Sequence, residues 1–348
     1  MKRLRVAIVG GGFGTQVHAP AWMGLPDVDV VAVSDGGSGR AARSEFPFVK
    51  DWRTAVADSD LVVVAVPPAA QLEITLECLV SGRHVLCEKP CGLDVGQAAT
   101  LATAAATAGR LAVVGFQYRY HPGILALRRL LSNHGLGMIR GFAAEWMTGS
   151  SLAANRPWNW QHDATAGGGV GRSHAGHLLD LMSWLGTPAD RVIAAERRVL
   201  ISDRVRDGMR LAVTAEDEIT ALLAHGDSAR STLRVCNCQP GGGGLRLTVF
   251  GEAGTAWFSW RYPFRARDLD VAHRLGDDDP TDLLPQISAT TPAGDERIDG
   301  VRRLAQRMIE SINGIFTDPL PSFADALQVH RMLEQMRTGV GIPTTNLR

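Results

Sequence analysis

The sequence predicts an α/β protein: an N-terminal Rossmann-type doubly wound parallel sheet, then an α+β domain with an open, mainly antiparallel sheet. Three observations carry that prediction. Up to about residue 120, short runs of consecutive apolar residues alternate with helix-length segments, as strands buried on both faces of a parallel sheet require. A glycine-rich turn, Gly10-Gly11-Gly12-Phe13-Gly14-Thr15, follows the first run. From about Met138 the strand-length stretches are separated by tight, glycine-bearing turns, which favours antiparallel pairing.

In order along the chain, residues 6–9, 30–33, 61–66, 85–86 and 111–114 are apolar and rich in β-branched side chains, and read as strands. Between them, 69–81 and 95–108 have helix length and are closed by Gly82 and Gly109. This βαβ succession argues for a domain over residues 1–120, with the remainder, 121–348, forming the second. There, 170–185 reads as a helix, and 218–225, 229–238, 245–250 and 255–260 as strands. Residues 265–300 are polar and read as loop. Two helices close the chain, 301–312 and 322–337, the second opened by a capping box of Ser322 and Asp325.

Charge and composition exclude several classes. Lys plus Arg and Asp plus Glu number 36 each, and no basic stripe is interleaved with aromatics, so neither nucleic acid nor an anionic membrane is expected as partner. The basic start leads into only four apolar residues before glycine, too few for a secretory segment. The longest apolar run, 61–66, cannot span a bilayer. Five cysteines, an odd number in a long chain, are expected as free thiols in a reducing cytoplasm.

The glycine turn supplies the first two positions of a dinucleotide fingerprint. Gly10 makes the tight turn and Gly12 permits close backbone approach to a pyrophosphate, while the third position is Thr15, with Phe13 and Gly14 between. Asp35 ends the second strand, where a carboxylate would accept from a ribose 2′-OH and repel a 2′-phosphate. That favours NAD; Ser38, Arg40 and Arg43 close behind leave NADP as the alternative, and Asp35 as a mere helix cap is the plain reading. Val66-Pro67 lies at a strand's carboxyl end, where it would pack on the nicotinamide half. Glu88-Lys89-Pro90 follows the apolar run 84–87, and the proline keeps Lys89 out of helical backbone. Gln117 and Tyr118 close the first domain facing the same crevice.

Together these pieces resemble the glucose–fructose oxidoreductase, inositol dehydrogenase and rhizopine-catabolism (Gfo/Idh/MocA) family. The likeness runs through the glycine loop with His18, Asp35, Glu88-Lys89-Pro90, the stretch from Gly115 to Pro122, Gly167-Gly168-Gly169 to Asp180, and Pro319 to Phe323. It implies oxidation of a hydroxyl, or reduction of a keto group, on a sugar, cyclitol or related polyol. It also implies a homodimer or homotetramer assembled partly through the antiparallel sheet. Lys89 and His177 are then the catalytic residues, and Glu88 joins the cofactor contacts. The family's pattern places an aspartate four residues before the histidine; here that position is Ser173.

The chemistry fits these residue types. A neutral imidazole can take a hydroxyl proton near pH 7, and a lysine ammonium can donate to the reacting oxygen. Ser173 and His177 share a helix face, and His174 lies three residues before His177. Serine brings no charge, so His177 is expected to be a weaker base, with Lys89 or His174 sharing the proton transfer. Trp158 or Trp160 could stack on a sugar face; the plain reading is a packed aromatic corner, which suits Trp158 more than Trp160. Arg172 could meet an anionic substrate group or be a solvated helix residue. No third ligand accompanies His174 and His177, so no metal is expected; Cys236 and Cys238 read as packing. Two rivals stand: a hydrolase using NAD for transient oxidation and elimination, and a non-catalytic dinucleotide-sensing regulator.

Overall fold

The structure is a computed structural model that describes residues 3–34, 46–153, 155–262, 264–284, 296–316 and 318–339. The chain clusters into two units, Met1–Tyr120 with Thr291–Gln328, and His121–Thr290 with Val329–Arg348.

The first unit holds β1 (Leu4–Val9), α1 (Ala19–Met23), β2 (Val28–Ser34), α2 (Trp52–Ala57), β3 (Leu61–Val64), α3 (Pro68–Val80), β4 (His84–Cys87), α4 (Val95–Thr107) and β5 (Ala112–Val114). The strands are parallel in the order β2-β1-β3-β4-β5. Strand side chains alternate between faces. Val6, Ile8, Leu61, Val63, Leu86 and Val113 join one core with Trp22 of α1, while Ala7 and Ala32 pack with Ala55 of α2. Asp51 and Asp94 cap α2 and α4 by accepting from backbone N–H groups.

The second unit adds α5 (Pro122–Ser132), β6 (Ile139–Met147), α6 (Gly176–Trp184), β7 (Arg191–Arg198), β8 (Asp203–Arg206), β9 (Met209–Ala212), β10 (Glu218–His225), β11 (Ala229–Cys236), β12 (Gly244–Gly251), β13 (Gly254–Trp260), β14 (Leu269–Leu275) and β15 (Thr281–Asp282). Eight strands form one sheet in the order β15-β14-β13-β12-β6-β11-β10-β7, antiparallel except where β11 meets β6. One face is apolar, with Ala144, Trp146, Leu247 and Phe258 buried. The other carries charges, among them Glu218, whose carboxylate meets Arg234 at 2.7 Å and Arg198 at 3.2 Å.

Two more helices, α7 (Glu296–Ile312) and α8 (Phe323–Thr338), end the described chain. On α7, Val301, Leu304, Ala305, Met308 and Ile309 are buried, the spacing of an apolar stripe. The last four join the β1–β3 core, so α7 returns to the first unit. The loop expected over 265–300 is corrected: it contains β14, β15 and the start of α7. Only Val271 and Ala272 of β14 are buried, so its pairing with β13, not an apolar run, makes it a strand. Ser322 and Asp325 form the capping box at the start of α8. Among the described residues, no helix is long and apolar enough to cross a membrane.

Candidate active site

In the first unit, parallel neighbours bring the carboxyl ends of β1, β3, β4 and β5 to one sheet edge. Gly10, Val66-Pro67, Glu88-Lys89 and Gln117 all follow those ends. Such an edge is where doubly wound sheets hold ligands. Gly10 has φ +150°, and a Cβ there would stand 2.2 Å from the Ala65 carbonyl oxygen, so only glycine lets β1 turn this close to the end of β3. Thr15, at the third fingerprint position, turns its hydroxyl back onto the carbonyls of Gly11 and Gly12 at 3.0 and 3.1 Å. The turn therefore accommodates a side chain there by hydrogen-bonding it. Phe13 and Gly14 lead into a helical stretch, Gly14–His18, that continues as α1.

Glu88 and Lys89 leave β4 under tight restraint. His18 Nε2 lies 2.9 Å from Glu88 Oε1, with both side chains buried. A Cβ on Gly115 would come within 2.8 Å of that carboxylate oxygen. Gln71 of α3 donates to the carbonyls of Glu88 and Val66 and accepts from Gly92 N–H. The Lys89–Pro90 bond is cis. Lys89 is half-buried; burial pushes its pKa down, and the neighbouring Glu88 carboxylate opposes that shift.

These residues fit a dinucleotide. The turn offers backbone without side chains at Gly10 and Gly12. Gln117 is buried, and among the described residues its Oε1 has no hydrogen-bond donor. A buried amide oxygen in that state calls for a donor such as a carboxamide N–H. Val66 is buried and Pro67 exposed at the same edge, and Tyr118 is half-buried beside Gln117. Asp35, with Ser38, Arg40 and Arg43, lies outside the described residues.

In the second unit, Gly169 has φ +105°, and a Cβ there would sit 2.3 Å from Glu216 Oε1. That oxygen accepts from Gly171 N–H at 3.1 Å, while Oε2 meets Arg197 at 2.8 Å. Glu216 thus fixes the start of the helical segment Gly171–Ala175 that runs into α6. Ser173 Oγ lies 2.9 Å from the Gly169 carbonyl and 2.8 Å from His174 Nδ1. A carbonyl can only accept, so the serine proton goes to Gly169 and His174 Nδ1–H donates to the serine oxygen.

Trp146 on β6 packs its indole against both imidazoles, 4.7 Å from His174 edge-on and 5.8 Å from His177. His177 is 3% exposed, whereas His174 and Arg172 are half-exposed. The structure therefore brings Ser173, His174 and His177 together with Trp146. Trp160, 36% exposed, opens a turn capped by Asn159, and the carbonyl of the next residue, Gln161, accepts from Gly169 N–H at 3.1 Å. Trp158 is tied by its indole N–H to the Ala212 carbonyl and faces Arg206. Lys89 belongs to the first unit and His177 to the second.

Sequence reasoning missed Gln71, Trp146 and Glu216. Gln71 reaches Glu88 and Gly92, 17 and 21 positions away, and Glu216 reaches Gly171, 45 positions away, and local patterning carries no signal for that. Trp146 had one, as an aromatic on the alternating run 142–146.

Comparison with known proteins is consistent with this architecture. A family model described as an oxidoreductase family with an NAD-binding Rossmann fold matches residues 4–116, and the C-terminal domain model of the same family matches 124–257. An uncharacterized oxidoreductase of Synechocystis sp. is 28% identical, over 92% of this chain and 89% of its own length. Levoglucosan dehydrogenase of Pseudarthrobacter phenanthrenivorans is 26% identical over 53% of this chain, a match that spans only 52% of that enzyme. Among solved structures, a levoglucosan dehydrogenase complex with NADH and L-sorbose superposes with a TM-score of 0.85 at 21% identity, covering 97% of this chain and 96% of that one. An oxidoreductase domain protein from Kribbella flavida gives 0.81 at 24% identity, covering 97% of each chain.

Proposed function

The chain belongs to the Gfo/Idh/MocA family of NAD-binding oxidoreductases, and we propose that it oxidises a secondary hydroxyl of a sugar, cyclitol or related polyol, or reduces the matching keto group. The observation that carries this reading is Lys89, held between Glu88 and the segment Gln71 grips, at the carboxyl edge of a parallel sheet with a glycine turn on the same edge. Relatives named for levoglucosan, D-apiose and glucose-6-phosphate support a sugar-like substrate.

In this reading Gly10, Gly12, Phe13, Gly14, Thr15, Asp35, Val66, Pro67, Glu88, Lys89 and Gln117 hold NAD, which accepts or returns a hydride. Lys89, as an ammonium, donates to the reacting oxygen and favours its developing negative charge. His177 exchanges the hydroxyl proton. Tyr118, Trp160, Arg172, Ser173 and His174 complete the substrate contacts. Residues 1–120 are the dinucleotide-binding domain, and 121–348 supply substrate contacts and the interface of a homodimer or homotetramer.

The test is nicotinamide reduction, followed by absorbance across a panel of sugars and cyclitols with NAD and NADP in parallel. The expected result is turnover with NAD on at least one polyol, lost in Lys89→Ala. Release of an aglycone without net reduction would establish the elimination reading instead. NAD binding with no turnover on any polyol would establish the regulator.

A further inference from the structure

Gln71 is 1% exposed on α3 and engages both ends of its amide with backbone around Lys89. Nε2 donates to the Glu88 carbonyl at 2.9 Å and to the Val66 carbonyl at 3.3 Å. Oε1 accepts from Gly92 N–H at 2.7 Å. The sense of the amide is fixed by its partners: carbonyls only accept and the N–H only donates, so a flipped amide would break all three bonds.

The three partners have a pattern. Glu88 stands immediately before Lys89, Gly92 three residues after it, and Val66 beyond the end of the adjacent strand, β3. Within the span they enclose, Pro90 has no N–H to offer. Cys91 sits at φ +69°, a backbone state that a side chain other than glycine holds only where its surroundings impose it. Gln71 ties both ends of this segment to α3.

We propose that Gln71 is a positioning residue for Lys89, setting where the ammonium stands by fixing both ends of the segment that carries it. This rests on the reading of Lys89 given above. A residue far from the chemistry can act in this way because a shift of about 1 Å in a catalytic group costs roughly 100-fold in rate.

Two variants test it. Gln71→Met keeps an unbranched side chain of similar length and removes the polar atoms; Gln71→Asn keeps the amide one methylene short, in case the first fails to fold. Hydrogen exchange followed by mass spectrometry should show the segment 88–92 exchanging about tenfold faster than in the parent, with helices elsewhere unchanged. Labelling of Lys89 by an amine-reactive reagent should change in rate by about threefold or more, since burial now restrains that amine. On a polyol substrate kcat should fall by about 10- to 100-fold while KM for NAD and polyol stays within about threefold, as expected when only transition-state contacts are lost. Unchanged exchange and unchanged labelling would overturn the proposal, and so would faster exchange with full kcat. If the parent turns over no polyol, the function reading has failed; exchange and labelling still decide whether Gln71 fixes the Lys89 segment.

Discussion

His18 Nε2 and Glu88 Oε1 meet at 2.9 Å, 70 residues apart in sequence, in a pair that is 0% and 7% exposed. The helical stretch that follows the glycine turn and the end of β4 are thereby joined through two side chains. Removing one partner leaves the other buried without its bond, which costs about 1–3 kcal/mol. A double-mutant cycle with His18→Ala and Glu88→Ala, read by urea unfolding, should show a coupling of about 1–3 kcal/mol. Additive effects would mean the pair is contact without energy.

Lys89 carries a second prediction through the same glutamate. Burial lowers its pKa from the ordinary 10.5 and the Glu88 carboxylate raises it. The protonated amine is the form that can donate to the reacting oxygen, so rate should be lost as pH rises through this lowered value. Glu88→Gln removes the raising charge and should move that alkaline limb of kcat/KM to lower pH. A limb that stays put, or moves up, would show that Lys89 does not govern it.

Gly169→Ala should be costly for two independent reasons. The backbone is at φ +105°, and the new Cβ would fall 2.3 Å from Glu216 Oε1. The strained conformation alone costs about 1–3 kcal/mol. Loss of at least that much in urea unfolding is expected, together with a fall in activity as the start of the His174–His177 helix shifts. Gly186→Ala is the control: φ +102° with nothing within 4 Å of the added Cβ, so it isolates backbone strain from the clash.

His225 predicts how stability follows pH. Its Nδ1–H donates to the Thr187 carbonyl, Ser231 Oγ donates to Nε2 at 2.6 Å, and Phe142 N–H donates to that Oγ at 2.8 Å. Burial is the main cause holding its pKa below the ordinary 6.5. The unfolded chain therefore binds the proton first, and the stabilisation present above pH 6.5 is lost as pH falls through the lowered folded value. His162 and His84 are lowered too and act in the same direction. The urea midpoint should drop from pH 8 to pH 5, and His225→Leu, though less stable throughout, should show a smaller drop. An equal drop in both would remove His225 from the account.

What could be read from the chain alone were features encoded over a few residues. The apolar runs of β1 to β5, the glycine turn, the caps of α8 and the lysine after β4 depend on neighbours in sequence, because strand burial, turn geometry and capping are local properties. β14 and the first turn of α7 escaped, since Asp270, His273 and Arg274 interrupt the apolar residues of β14 and α7 opens on Glu296 and Arg297, so both become strand and helix through pairing and packing. The tertiary structure alone decided which distant groups restrain the functional side chains. Gln71 holds the backbone around Lys89, His18 holds Glu88, Glu216 dictates Gly169, and Trp146 backs both histidines. Each depends on a hydrogen bond or packing contact between residues brought together by strand order, and strand order is settled by burial across the whole sheet rather than by any short stretch of sequence.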